Sequence, residues 1–188
     1  MKKTLIVVDM QNDFLTGVLG NAETEAVIPA VIKKIQHYAD MPDAAIIYTR
    51  DTHFSDYMST LEGQKLPVPH CIANTAGWQI NPHVMDASIG AHLVDIQNKY
   101  TFGLIDWESL LLTIPDAFEE VEWDNYEIES IEVIGVCTSI CVVSNALILK
   151  AAFPAVPITV DSQCCACVTP ESHAAALDVM RMCQIEVV

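Results

Sequence analysis

Two cysteines four residues apart stand in the stretch GVCTSICVVSN, residues 135–145. A run of β-forming residues precedes Cys137, and Cys141 falls in the first turn of a predicted helix. The free N–H groups and the dipole at a helix N-terminus favour a thiolate and can bind an oxyanion. We expect Thr138 or Ser139 to cap this helix. The C-x-x-x-C spacing does not suit zinc-ribbon or thioredoxin-like chemistry, so this stretch alone leaves open a nucleophile or two buried structural cysteines.

A carboxylate and an ammonium each end a predicted strand elsewhere in the chain. Asp9 follows the apolar run TLIVV, where partial desolvation lets a carboxylate accept a proton near neutral pH. Lys99 follows DIQN, and a lysine beside a thiol and a carboxylate lowers the pKa of the thiol. Each residue alone is also consistent with a solvated strand end. With Cys141 they form a candidate catalytic set, provided that their strands meet at one edge of a sheet.

A second set of polar residues occurs in RDTHFSDYMSTLEGQKLPVPHC. Asp51 and His53 are two residues apart, so an extended chain directs both side chains to the same side. Glu62 and His70 follow within the long irregular segment 54–82, and a loop of this length is usually functional or disordered. Two imidazoles with carboxylates suit zinc, manganese or iron. The alternative is a polar loop with solvent-facing histidines.

Three further cysteines lie in QCCACVTPESH. The spacings C-C and C-x-C rarely fit one tetrahedral metal site without other ligands. We therefore interpret Cys164, Cys165 and Cys167 as core or near-site residues. His173, in the last predicted helix, is interpreted as a surface or interface residue.

Alternating strands and helices predict how these residues are brought together. Apolar runs predict strands at 4–10, 43–51, 91–99, 128–136, 157–162 and 184–188, and helical periodicity predicts helices at 24–39, 106–113, 138–152 and 170–183. This alternation indicates an α/β fold of three layers (α-β-α) with a mainly parallel sheet. Sites in such sheets lie beyond the carboxyl ends of the strands. That rule places Asp9, Asp51, Lys99, Cys137 and Cys141 at one edge.

The composition limits the class of protein and its partners. The chain has 188 residues, 52% of them hydrophobic, which suits one domain spanning 1–188. The formal net charge of −16 argues against nucleic acid and anionic membrane as partners, and many of the acids cluster at 116–132, a predicted solvated surface. The apolar runs are too short for a membrane span or a signal peptide. We therefore expect a cytosolic protein whose seven cysteines are mostly reduced.

The motifs VVDMQNDF, RDTHF, PHC, NKY and GVCTSICV, in this order, resemble those of the isochorismatase-like cysteine hydrolases, whose best-known amidases are nicotinamidases. The resemblance runs from end to end of the chain. It implies a Rossmann-like, six-stranded parallel sheet flanked by helices and a catalytic triad of Asp9, Lys99 and Cys141. It also implies an oxyanion hole formed by the N–H groups of Cys137 and Cys141, and a cis peptide bond at Val136–Cys137.

The resemblance further implies a divalent metal. Nicotinamidases bind a metal through a D-x-H motif and a later histidine, which match Asp51, His53 and His70, and some add a glutamate, which would be Glu62. We expect zinc, with manganese or iron as alternatives. In the family the metal binds the pyridine nitrogen and water and does not perform the attack.

Two positions depart from the family pattern. The family often reads T-D-x-C-V where this chain reads T-S-I-C-V, so Ser139 carries no charge. Many nicotinamidases place an aromatic ring three residues before the last metal histidine, and that position is Pro67 here. We expect the substrate pocket to take its aromatic ring from Phe14, Trp78, Tyr100 or Phe102.

Together these features predict a cysteine hydrolase that cleaves a small linear carboxamide, with nicotinamide, converted to nicotinate and ammonia, as first choice. Such an enzyme would serve pyridine nucleotide salvage, and we expect it to be a homo-oligomer. One alternative is a family hydrolase of another small substrate, such as an isochorismate-type ether or a ureido or maleamate-like amide. The other is a non-catalytic relative, which should have lost a triad residue, and none is lost here.

Overall fold

The computed structural model describes residues 3–113 and 128–188, which form one six-stranded sheet with helices on both faces. The strands are β1 (Lys3–Val8), β2 (Ala44–Asp51), β3 (Leu93–Lys99), β4 (Ser130–Val136), β5 (Ile158–Ala166) and β6 (Glu186–Val187). Their order is β3-β2-β1-β4-β5-β6, and every neighbouring pair is parallel. The predicted three-layer α/β fold with a mainly parallel sheet is confirmed.

The central strand β1 is apolar at consecutive positions because both faces of the sheet are covered. Leu5 and Val7 pack into one hydrophobic core, whereas Ile6 and Val8 pack into the other. Successive side chains of a strand point to opposite faces, so a strand buried on both faces needs an unbroken apolar run. The same pattern keeps Ala44 to Tyr48 of β2 buried.

The helices that cover the two faces are α1 (Asn12–Leu15), α2 (Ala22–Ala26), α3 (Ile28–Ala39), α4 (Leu61–Lys65), α5 (Pro82–Asp86), α6 (Trp107–Thr113), α7 (Val143–Ala152) and α8 (Pro170–Met182). Val31 and Ile35 of α3 pack into the core on one face. Trp107 of α6, Leu149 of α7 and Leu177 of α8 pack into the core on the other face. Within residues 3–113 and 128–188, no helix has the length and apolar character needed to cross a membrane.

Several element boundaries differ from the prediction. The predicted helix 24–39 is two helices, α2 and α3, and Pro29 in the first turn of α3 explains the break because proline suits a helix start. The predicted loop 54–82 contains α4 and a 3₁₀ turn. β5 continues to Ala166, so Cys164 and Cys165 are buried strand residues. Most of the acidic segment 116–132 lies outside the described residues.

Strand β4 passes very close to β1 at Gly135. The φ angle of Gly135 is +119°, and a Cβ atom there would lie 2.1 Å from the carbonyl oxygen of Val8. The pairing of β4 with β5 also shifts register between Val133 and Gly135. Only glycine fits this position, two residues before Cys137.

Candidate active site

The predicted catalytic residues lie where the sheet reverses its winding. From β1 the strand order runs through β2 to β3 on one side, and from β4 through β5 to β6 on the other. A doubly wound sheet opens a crevice at the carboxyl ends of its strands at such a switch point. Asp9 follows β1, Cys141 follows β4, and Lys99 ends β3.

Lys99 brings three of the predicted site residues together. Its Nζ atom lies 2.7 Å from Asp9 Oδ2, 3.1 Å from Asp51 Oδ1 and 3.5 Å from Cys141 Sγ. Only 1% of Lys99 is exposed, so the structure depends on these partners to keep its charge buried. Burial lowers the pKa of Lys99, but the neighbouring negative charges outweigh burial and raise the pKa above its ordinary value. The side chain is therefore a permanent cation at the centre of the site.

Asp9 is held by Thr49 in a conformation that is uncommon for a residue with a side chain. Its φ angle is +50°, and its N–H donates to the carbonyl and hydroxyl oxygens of Thr49 at 3.3 and 3.2 Å. The Thr49 hydroxyl donates in turn to Asp9 Oδ1 at 2.7 Å. Burial raises the pKa of Asp9, while Lys99 and Thr49 oppose the rise. Sequence reasoning missed Thr49, although strand alternation places it on the same face as Asp51, two residues later.

The thiol of Cys141 is buried and keeps its proton. Cys141 lies in a π-helical turn, Thr138–Val142, that leads into α7, and the Val136–Cys137 peptide bond before it is cis. Burial and the charge of Asp9 raise the pKa of the Cys141 thiol well above its ordinary value, and Lys99 opposes this only in part. The thiol hydrogen-bonds to the Asp9 carboxylate. A thiolate favoured by the helix dipole was expected, and burial outweighs that effect.

The predicted helix cap is wrong. Cys137 occupies the cap position, and no side chain caps the turn. Instead, Thr138 Oγ1 lies 2.9 Å from His173 Nδ1, and Ser139 Oγ lies 2.9 Å from Cys167 Sγ. Both hydroxyls therefore attach the turn to the elements beside it. His173, interpreted from sequence as a surface or interface residue, is partly buried and lies against this turn.

Asn145 joins the turn of Cys141 to the loop that follows Lys99. Its Nδ2 donates to the Cys141 carbonyl at 2.8 Å, and its Oδ1 accepts from the N–H of Leu104 and from Nε1 of Trp107, both at 2.9 Å. Asn145 is completely buried, so these bonds replace the solvation it loses. Sequence reasoning missed Asn145; its position one helical turn after Cys141 was the available signal.

The four predicted metal ligands form one cluster. The possible ligand atoms of Asp51, His53, Glu62 and His70 all lie within 4.8 Å of one another. His53 Nε2 is 3.0 Å from Asp51 Oδ2 and 3.7 Å from Glu62 Oε1, and His70 Nε2 is 3.7 Å from Asp51 Oδ2. Ligands about 2.0–2.1 Å from a tetrahedral zinc ion lie about 3.3 Å from each other. The donor set and its spacing therefore fit a divalent metal.

The neighbours of His70 orient its ring so that it can serve as a metal ligand. Its Nδ1–H donates to the Val68 carbonyl at 2.8 Å, which leaves Nε2 free to face the other ligands. The rings of Tyr57 and Phe14 lie 5.1 and 5.5 Å from the His70 ring. Tyr57, which sequence reasoning missed, also lies 4.6 Å from the ring of His53. These aromatic contacts hold both imidazoles in place.

Gln11 fixes the backbone of Asp51. Its Oε1 accepts from the Asp51 N–H at 2.7 Å, and its Nε2 donates to the carbonyls of Asp51 and Trp78 at 2.9 and 2.8 Å. Burial raises the pKa of Asp51, but the neighbouring His53 and His70 and the charge of Lys99 outweigh burial and hold the pKa below its ordinary value. Asp51 is thus held as a carboxylate. No local pattern predicted the role of Gln11, which is 40 residues from Asp51.

Two of the four predicted pocket aromatics lie on the exposed loop after β3. Tyr100 is 63% exposed and stacks on Phe54 at 6.0 Å, and Phe102 is 48% exposed. Both follow Lys99 closely in the chain and therefore lie at the rim of the site. Their role in binding substrate stays a prediction.

The other two predicted aromatics, Phe14 and Trp78, are buried and have different neighbours. Phe14 lies beside His70, within the metal-ligand cluster. Trp78 packs beneath the Arg50 guanidinium at 3.7 Å and donates to Thr52 Oγ1 at 2.8 Å. Arg50 alternates with Asp51 along β2, so Trp78 contacts residues that point away from the metal-ligand face. Phe14 is therefore the better-placed of these two candidates.

Comparison with known proteins identifies the family of this chain. The sequence profile of the Isochorismatase domain matches residues 3–188. The nicotinamidase of Saccharomyces cerevisiae is 29% identical over 77% of this chain and 80% of its own length. The nicotinamidase/pyrazinamidase of Mycobacterium tuberculosis is 26% identical over 99% of this chain and 98% of its own length. The crystal structure of the Pyrococcus horikoshii pyrazinamidase in complex with zinc is similar with a TM-score of 0.76, at 24% identity, over 100% of this chain and 99% of that one. This chain therefore belongs to the isochorismatase family.

Proposed function

We propose that this protein is an amidohydrolase that converts nicotinamide to nicotinate and ammonia through a thioester on Cys141. The observation that carries the proposal is the position of Lys99 Nζ, 2.7 Å from Asp9 and 3.5 Å from Cys141. A base, a thiol and a fixed cation thus meet in one buried group. Two relatives named as nicotinamidases, one of them matching nearly the full chain, support nicotinamide as the substrate.

The reaction begins with the Cys141 thiol, whose pKa is raised by burial and by the charge of Asp9. Asp9 takes the thiol proton as the sulfur attacks the amide carbon, and the electrons of the C=O bond move to the oxygen. The backbone N–H groups of Cys137 and Cys141 hold that oxyanion. Lys99 balances the negative charge as it moves between Asp9 and the sulfur. When the intermediate collapses, Asp9 protonates the nitrogen, the C–N bond breaks and ammonia leaves.

Water completes the cycle. Asp9 removes a proton from a water molecule, whose oxygen attacks the thioester carbon. The C–S bond then breaks, and the sulfur takes back the proton from Asp9. Nicotinate leaves, and the thiol and the carboxylate return to their starting states. Each proton that Asp9 accepts is returned in the same half-reaction, so one buried carboxylate suffices.

A metal ion held by the ligand cluster would orient the substrate. Asp51, His53 and His70 would hold a divalent ion, with Glu62 as a direct or water-bridged fourth ligand. Zinc is the first choice, supported by the zinc in the Pyrococcus horikoshii structure and by the N/O donor set. When bound there, such an ion would supply Lewis acidity for orienting the pyridine ring. Phe14, packed on His70, would provide an apolar wall for the ring.

The cytosol is the proposed location, which is supported by seven cysteines that form no disulfide. A homo-oligomer stays a prediction.

The test is ammonia release from a panel of nicotinamide, a maleamate-like amide and a ureido compound. We expect nicotinamide to be turned over with the highest kcat/KM. Cys141→Ala should lose turnover by at least about three orders of magnitude, the scale of a removed nucleophile. Cys183→Ala, at an exposed thiol, is the matched control and should keep wild-type turnover. Preference for another amide would overturn the substrate, and an active Cys141→Ala variant would overturn the mechanism.

A further inference from the structure

The thiols of Cys137 and Cys167 lie beside the turn that holds the nucleophile, and neither thiol takes part in the proposed mechanism. In the pairing of β4 with β5, Val136 is the partner of Ala166, so Cys137 and Cys167 are the next residues of two adjacent parallel chains. Neighbouring parallel strands lie about 4.8 Å apart, which is within the Cα separation of about 4.4–6.8 Å that a disulfide needs. Cys137 directly precedes the π-helical turn Thr138–Val142, and Ser139 of that turn is hydrogen-bonded to Cys167.

The two sulfurs of this pair differ in their protonation. The neighbouring polar groups of Cys137, Ser139 and Ser172 lower the pKa of Cys167 to about 4, although burial opposes them. The Ser139 oxygen lies 2.9 Å from the Cys167 sulfur. The hydrogen bond with Cys167 and burial raise the pKa of Cys137. The lowered pKa of Cys167 favours its thiolate and the raised pKa of Cys137 favours its thiol, as in pairs of peroxide-reacting and resolving cysteines.

Space for a small oxidant exists next to Cys167. A cavity of about 330 Å³ is lined by Cys167, Cys165, His173, Thr169 and Gln163 among others. Cys137 is itself partly exposed. A hydroperoxide is little larger than water and fits this cavity.

We propose that Cys137 and Cys167 are a redox modification site that forms a reversible disulfide when a hydroperoxide enters, and that this bond lowers turnover at Cys141. The Cys167 thiolate attacks one oxygen of the peroxide, the O–O bond breaks, and Cys167 becomes a sulfenic acid as hydroxide leaves. The sulfur of Cys137 then attacks the sulfur of Cys167, and the S–O bond breaks. The second hydroxide leaves with the proton of Cys137 as water. The hydroxide released first takes a proton from solvent, so the two sulfurs supply the two electrons that reduce one peroxide to two waters.

The effect on turnover rests on the proposed function, because it acts through the turn that holds Cys141. The carbonyl of Cys137 accepts the N–H groups of Ile140 and Val142, both at 3.1 Å, and so shapes this turn. A disulfide brings the sulfurs of Cys137 and Cys167 to about 2.05 Å from each other. That movement displaces Cys137, whose N–H is assigned to the oxyanion. It also moves the Cys167 sulfur away from the Ser139 hydroxyl and so weakens their hydrogen bond. The crosslink itself does not depend on any activity.

The first experiment tests the crosslink without the nucleophile. Reduced Cys141→Ala protein is treated with one equivalent of hydrogen peroxide, alkylated and digested with trypsin without reduction. Cleavage after Lys150 separates a peptide whose one remaining cysteine is Cys137 from the peptide that carries Cys167. We expect these two peptides to be joined, with fragmentation spectra that place the bond on Cys167.

Two further variants decide the assignment. Cys141→Ala with Cys167→Ser should give no joined peptide. Cys141→Ala with Cys183→Ser, which removes an exposed thiol instead, should crosslink as before. Absence of the joined peptide in the parent protein, or its persistence without Cys167, overturns the proposal.

The second experiment measures turnover with Cys141 present. Wild type treated with one equivalent of peroxide should lose at least about tenfold in kcat, and dithiothreitol should restore it; the loss of one oxyanion donor costs about this much or more. Reduced Cys167→Ser should match wild type and show no loss that dithiothreitol reverses. A crosslinked protein with full turnover overturns the regulatory part. If wild type releases no ammonia from any amide, the proposed function fails, while the first experiment still decides the disulfide.

Discussion

Lys99 Nζ lies 3.1 Å from Asp51 Oδ1, so one ammonium joins the candidate metal ligands to the candidate catalytic residues. The other oxygen of Asp51 faces His53 at 3.0 Å and His70 at 3.7 Å. The sheet produces this contact directly, because Asp51 and Lys99 are register partners at the ends of β2 and β3. A change of charge among the candidate metal ligands should therefore alter the electrostatic environment of the candidate catalytic residues, and the reverse.

Removal of Lys99 should affect turnover and metal binding differently. In Lys99→Met, Asp9 and Cys141 lose their common cation, so we expect the pKa values of both to rise. Turnover should fall by about two orders of magnitude or more, the scale of a positioned acid–base group. Metal content should not fall, because the ammonium that repels a cation beside Asp51 is gone. The measurements are kcat, elemental analysis and the pH dependence of Cys141 alkylation.

Folding must be controlled in this variant. Breaking a buried ion pair costs about 3–5 kcal/mol, so a lower melting temperature is expected. Lys99→Arg keeps the charge and provides the comparison; it should melt at a higher temperature than Lys99→Met yet stay nearly inactive, since a planar fork does not replace a compact ammonium. An unchanged alkylation profile in folded Lys99→Met would place Lys99 outside the catalytic group.

The four candidate metal ligands should contribute unequally to metal binding. His70 is 3% exposed and held by Val68, whereas the Glu62 side chain is 30% exposed and lies 3.7 Å from His53. We expect His70→Ala to lose the metal and Glu62→Gln to retain it with weaker affinity, as judged by elemental analysis after dialysis. Chelation of wild type should raise KM for nicotinamide much more than it changes the rate of Cys141 alkylation. Equal metal loss in both variants would contradict this ranking.

Glycine at position 135 should be essential for folding stability. In Gly135→Ala the new Cβ would lie 2.1 Å from the carbonyl oxygen of Val8, at a φ of +119°. We expect a loss of about 3 kcal/mol or more in the free energy of unfolding, measured by urea denaturation. Gly90→Ala is the matched control, because Gly90 has a φ of +94° with no atom within 4 Å of its Cβ position. It should lose only about 1 kcal/mol. Similar losses in the two variants would show that the contact with Val8 relaxes easily.

The sequence predicted that the candidate catalytic residues would lie together because their positions depend on strand ends. Asp9 follows β1, Lys99 ends β3 and Cys141 comes shortly after β4, and a parallel sheet gathers such strand ends at one edge. The D-x-H spacing placed Asp51 and His53 on one side for an equally local reason. These arguments needed only the period of a strand and the direction of the sheet.

The residues that the sequence did not reveal act across long separations. Gln11 binds the backbone of Asp51, and Asn145 binds the loop 41 residues before it. The hydroxyl of Thr138 or Ser139 was expected to cap its own helix. Instead, Thr138 is hydrogen-bonded to His173 and Ser139 to Cys167. Local propensity cannot predict which hydrogen bond such a hydroxyl makes, because the competing partners are distant in sequence and come near only in the folded chain.

The last prediction concerns the base. Burial raises the pKa of Asp9 above the ordinary 3.8, and the hydrogen bond from Thr49 opposes this rise. The carboxylate form is the active one, so kcat/KM should fall as the pH drops through the pKa of Asp9. Thr49→Val removes a donor to a charged group, and the acid limb of the kcat/KM profile should move upward by about one pH unit.

A second buried threonine of the sheet gives the matched control for Thr49→Val. Thr4 in β1 is completely buried, and within residues 3–113 and 128–188 its hydroxyl has no hydrogen-bond partner. Thr4→Val changes the same atoms as Thr49→Val but removes no bond to Asp9, so its acid limb should coincide with that of wild type. Thermal melts of both variants separate a titration effect from misfolding. An acid limb that stays in place in Thr49→Val, with the fold intact, would mean that Asp9 is not the group whose ionisation controls turnover.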